Sequence, residues 1–87
     1  MIHELKCETR FFGAVLDGAK PFEVRVDDRK PPFAVGDLLD LREWGELAVG
    51  GVGYTGLRVV RRVSYVLRHA DLPAGVPEGW VVMGLAI

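Results

Sequence analysis

Lys20, Glu23, Arg25 and Glu43 are the residues of this chain whose types and spacing could do chemistry. An ammonium beside a carboxylate can exchange protons or fix a substrate, and a guanidinium two residues further on can hold a phosphate or a developing negative charge. The run Phe22 to Val26 reads as a strand, where a side-chain period of two separates Glu23 and Arg25 from Phe22, Val24 and Val26. The expectation is that the apolar face builds core while Glu23 and Arg25 face outward. Leu38 to Trp44 reads as a second strand with Leu39 and Leu41 inward, and Glu43 shares their parity. Its carboxylate then stands at the mouth of a cleft near Lys20, Glu23 and Arg25, or reaches solvent where the strand leaves the core.

Three functions fit this set. In a binding module, Lys20, Arg25 and Arg61 meet phosphates, Glu23 or Glu43 accepts from a base amino group, and Tyr54 or Tyr65 offers a stacking face. Mixed charge suits a single nucleotide or a single-stranded RNA end better than a duplex. In a hydrolase acting on RNA or a modified nucleoside, Lys20 and Glu43 form the acid/base pair, with Glu23 beside them, and Arg25 stabilises developing charge. In a structural or partner-binding domain the same residues are ion pairs around a rim, and exposed pairs contribute only about 0–1 kcal/mol each.

The chain that must position these groups has 87 residues, enough for one domain with one core and a shallow site. A hydrophobic fraction of 49% with 26% charged residues excludes disorder by composition. Eleven basic against twelve acidic residues give a net charge of −1, which excludes the global basic footprint of a general nucleic-acid binder. The exception is local: residues 56–69 carry Arg58, Arg61, Arg62 and Arg68 with no acidic residue, and this is where contact with RNA or a nucleotide is expected. A lone Cys7 and the lack of a long apolar run point to a cytoplasmic protein that spans no membrane. His3, His69 and Cys7 lack metal-ligand spacing, so neither metal nor cofactor is expected.

Residues 2–7 alternate as a first strand that turns His3, Leu5 and Cys7 inward, with His3 a second-rank site candidate. Thr9 serves as an N-cap for one helix, whose stripe of Phe12, Val15 and Leu16 packs on the sheet and which Gly18 ends. Lys20 is thus held between that helix end and Pro21. Gly51 to Gly56 formally matches G-x-G-x-x-G, but a strand follows rather than a helix, so no helix terminus receives a pyrophosphate. Along Leu57 to Arg68 the odd positions are apolar except Arg61, which marks either a β-bulge or a side chain in the same cleft as Glu43. Gly79 to Ile87 is a last, apolar strand. One helix after the first strand and four further strands predict a small mixed β-barrel of five or six strands, closed on itself.

These residues resemble the ASCH superfamily, whose members have a PUA-like barrel, and most of all the short bacterial and phage family catalogued as domain of unknown function 3850. The likeness rests on His3-x-Leu5-Lys6, Gly18-x-Lys20-x-Phe22-Glu23-Val24-Arg25, Asp28-Arg29, Phe33-x-Val35-Gly36-Asp37-x-Leu39-x-Leu41-x-Glu43, Tyr54-Thr55-Gly56 and Gly79-x-Val81-Val82-x-Gly84. It covers nearly the whole chain, and G-x-K-x-x-E-x-R is its specific part. The resemblance implies a single domain over residues 1–87 and functions ranging from RNA or modified-base binding to nucleoside amide hydrolysis and nuclease activity. In amidohydrolase relatives a threonine stands where this sequence has Glu23, so a threonine nucleophile is absent there.

Overall fold

The computed structural model describes residues 1–86, in which β1 (Ile2–Glu8), α1 (Thr9–Leu16), β2 (Phe22–Val26), β3 (Leu38–Glu46), β4 (Val52–Arg68) and β5 (Trp80–Ala86) follow one another. Ile87, expected to end the last strand, lies outside the described residues. The strands form one mixed sheet in the order β1-β3-β4-β5-β2, with β1 and β3 parallel and the other pairs antiparallel. Among the described residues no ladder joins β1 to β2, so the sheet is open where closure was expected. Side chains span the gap instead: Arg25 Nη2 donates to the Lys6 carbonyl at 2.8 Å and Arg29 Nη2 to that of Glu4 at 3.0 Å.

The inner face of the sheet holds the core. Leu39, Leu41, Val63, Val81 and Met83 are fully buried there, and Phe33 joins them from the loop before β3. α1 packs against β1 and β3 through Phe12 and Val15. Leu16 is exposed, which corrects the expected stripe: eight residues present little more than two inward positions. Thr9 is the first helical residue rather than the cap, and its hydroxyl donates to the Trp44 carbonyl at 3.3 Å.

β4 is the longest strand, and it bends twice. Thr55, Gly56 and Leu57 stand opposite Glu43 alone, and Gly56 takes φ +95°, which a side chain at that position would disfavour. Ser64 is a second extra residue, between the Val63–Leu85 and Tyr65–Gly84 pairs. These two insertions leave Leu57 and Tyr65 exposed while Val59 and Val63 stay buried.

β2 shows the largest departure from expectation. Phe22, Val24 and Val26 are exposed, while Glu23 is buried beside its cross-strand partner Met83 and Arg25 follows it inward. Parity predicts that two faces exist but not which one turns in. Here β2 is an edge strand, and the inward carboxylate meets two cations that offset the cost of burying it.

Candidate functional site

A cleft of about 380 Å³ opens where the two edge strands approach each other. Lys6, Cys7 and Glu8 of β1, Phe11 of α1, Lys20, and Phe22 to Arg25 of β2 line it. Its geometry begins at the end of α1. Gly18, at φ +86°, turns the chain out of the helix, and the Lys20 N–H donates back to the Ala14 carbonyl at 2.9 Å. Lys20 is therefore fixed by its backbone, and its Nζ reaches the Phe22 carbonyl at 3.0 Å and Glu23 Oε1 at 2.7 Å.

The other carboxylate oxygen, Oε2, accepts from Arg25 Nε at 2.9 Å. The Glu23 side chain is 4% exposed, against 18% for Lys20 and 24% for Arg25, so the carboxylate lies beneath and the two cations lie at the surface. One buried anion thus spaces two cations along the cleft wall and leaves one positive charge in excess. Glu8, at the rim, is engaged by Arg10 at 2.8 Å. Phe11 and Phe22 flank the ammonium, with ring centroids 5.4 and 5.2 Å from Lys20 Nζ.

Cys7 is buried in the wall, where desolvation and then the Glu23 charge push its thiol above the ordinary value of 9.0, against Lys20 and Arg25. The thiolate is disfavoured at neutral pH, so Cys7 is no activated nucleophile. Both Glu23 oxygens are already engaged, and proton transfer there would require breaking an ion pair.

Residues 2–85 match the family described as Domain of unknown function (DUF3850). The chain belongs to that family. It is also 40% identical over 70 residues, 80% of its length, to an "Uncharacterized 12.9 kDa protein in GpA 3'region" of Escherichia phage P2, and the match spans 58% of that protein.

In this DUF3850 domain the structure brings together Lys20, Glu23 and Arg25 and leaves the other candidates elsewhere. Glu43 has the inward parity of the sequence reading and pairs in register with Cys7, but it accepts from the Thr55 hydroxyl at 2.7 Å and does not line the cleft. Arg61 is neither at a bulge nor in the cleft: its Nη2 donates to the Leu16 and Val15 carbonyls at 3.3 and 3.5 Å, a cation at a helix C-terminus. Tyr54 lies on the outer face of β4, against Trp44, and Tyr65 is exposed on a separate stretch of the same strand. His3 Nε2–H donates to Asp37 Oδ2 at 2.8 Å inside the core. Arg68 is also internal in role, paired with Asp27 and donating to the Phe33 carbonyl at 2.6 Å.

Phe11, Phe22 and Cys7 are cleft residues that the sequence reading missed. Phe11 left one signal, an aromatic residue standing off the helix stripe beside Phe12. Among the described residues no group of three or more His, Cys, Asp or Glu side chains could hold a metal, and no helix is long and apolar enough to cross a membrane.

Proposed function

We propose that this domain is a binding module that takes a nucleotide, or the phosphate-bearing end of an RNA strand, in the cleft between β1 and β2. The observation that carries this reading is the pair of cations, Lys20 and Arg25, spaced by one buried carboxylate beside two aromatic walls. A phosphate matches the excess charge and the unused N–H groups of both side chains, and a base matches the rings of Phe11 and Phe22. The helix after β1, the gap between β1 and β2 and the G-x-K-x-x-E-x-R element support placing the family in the ASCH superfamily, with β1 and β2 as the seam of a PUA-like barrel. A cytoplasmic setting accords with that reading. The hydrolytic pairing of Lys20 with Glu43 gains no support, since each is engaged by another residue, Lys20 by Glu23 and Glu43 by Thr55.

The test is calorimetric titration of the protein with a nucleoside and with its 5′-monophosphate. The monophosphate is expected to bind and the nucleoside to bind at least about tenfold more weakly, the scale of one charge-assisted hydrogen bond. Arg25→Ala should remove that difference. Equal binding of the two, or none, would overturn the proposal.

A further inference from the structure

The outer face of the sheet repeats the device found in the cleft. Asp40, buried on β3, holds Arg42 Nη2 to its Oδ2 at 3.1 Å, and Arg58 Nε stands 3.5 Å from its Oδ1. Arg42 and Arg58 face each other in register across β3 and β4. Asp40 Oδ1 is buried with no hydrogen-bond partner, so Arg58 is held only loosely by this anion and keeps its donors for another. A concavity of about 270 Å³ lies between these arginines, with Tyr54, Gly56 and Leu57 completing its lining.

Next to it is an aromatic pair. Trp44 and Tyr54 are cross-strand neighbours with centroids 4.9 Å apart and planes at 84°, and Tyr54 is 54% exposed. Lys6 Nζ sits over the Trp44 ring at 3.9 Å. Alternating cations and aromatic faces on an open sheet match alternating phosphates and bases. Glu4, which pairs with Arg42 at 3.0 Å, and Asp40 offset two of the three charges of Lys6, Arg42 and Arg58, so the face keeps one positive charge in excess.

Lys6 also lines the cleft, where its carbonyl accepts from Arg25, so cleft and outer face meet at one residue on the β1 edge. We infer that the outer face of β1, β3 and β4 is a second contact surface for single-stranded nucleic acid, continuous with the cleft across Lys6, with Tyr54 as the stacking platform and Arg58 as a phosphate contact. The ligand is then a strand whose end enters the cleft, an assignment that rests on the cleft reading above for its terminus and on the outer face for its length.

Fluorescence anisotropy with a labelled pyrimidine oligonucleotide of about eight nucleotides tests this. RNA and DNA versions distinguish the two sources of the same chemistry, and a nucleoside monophosphate titrated alone reports on the cleft. Tyr54→Ala should weaken oligonucleotide binding about tenfold and leave the monophosphate unaffected. Arg58→Ala should reduce the slope of log K against log salt by about 0.7. Both side chains are exposed, and an unchanged melting temperature will confirm that the variants are folded. If Tyr54→Ala and Arg58→Ala leave oligonucleotide affinity and its salt slope unchanged, or a duplex binds as tightly as the single strand, the inference fails while the cleft reading stands. If the oligonucleotide binds through Tyr54 and the monophosphate never binds, the cleft reading fails and the outer surface stands.

Discussion

Glu23 and Asp37 are both buried carboxylates held by two basic groups each, yet they sit in different kinds of place. Asp37 is tied to interior groups: His3 Nε2 and the Ala34 N–H meet its Oδ2 at 2.8 and 3.0 Å, the chain-terminal ammonium stands 3.6 Å from Oδ1, and the buried His3 lies 4.6 Å from Phe33. Glu23 is covered by its own partners, whose free donors then face a cleft. Burial and pairing of a carboxylate are therefore common to a structural tie and to a candidate site. What separates them is whether the partner groups have donors left that face a cleft.

The strongest way to break that contrast is to remove each carboxylate. Asp37→Ala leaves His3 and the Ala34 N–H buried without a partner and should cost about 3–5 kcal/mol in urea denaturation. Glu23→Ala leaves two cations that can rehydrate through the cleft, and about 1–2 kcal/mol is expected. Equal losses would show that the cleft pair is as structural as the core pair. The acid limb sharpens the difference. The His3 hydrogen bond, with smaller help from the Ala34 N–H and the terminal ammonium and against desolvation, holds the Asp37 carboxyl below its ordinary 3.8. Because the folded value is the lower one, this stabilisation is complete above about pH 3.8 and is lost as pH falls from there through the folded value. Asp37→Asn should flatten stability against pH in that window, and Glu23→Gln should leave the His3-linked part of the slope intact. The smallest effect belongs to Lys20→Ala, which should shift the melting temperature little while weakening nucleotide binding, and Lys20→Arg should restore much of that binding. A large stability loss with unchanged binding would make Lys20 a helix-end tie and nothing more.

Much of the scaffold was legible in the sequence because short-range signals settle it. Gly18 ends the helix, Pro21 starts β2, and the parity of Leu39, Leu41, Val59 and Val63 marks the core. Three features were not. The inward face of β2 depends on where Lys20 and Arg25 come to rest, a tertiary fact that overrides the apolar appearance of Phe22, Val24 and Val26. The two insertions in β4 depend on the partners β3 and β5, so Tyr54 and Tyr65 could not be assigned to a face from β4 alone. The open seam depends on strand order, which local pattern does not specify. Within the candidate site, Lys20, Glu23 and Arg25 were visible as a spaced motif, whereas Phe11 and Cys7 reach the cleft only through the placement of α1 and β1.

The guanidinium bridges across the seam also guard the chain against its neighbours in solution. An edge strand with free carbonyls and an apolar flank is a template for another molecule's strand, and β2 carries that flank in Phe22, Val24 and Val26. Arg25 and Arg29 occupy carbonyls of β1 and place charge between the two edges, the position of gatekeepers against strand addition. Loss of both arginines should therefore show first as concentration-dependent association in light scattering, at protein concentrations where the parent chain remains monodisperse.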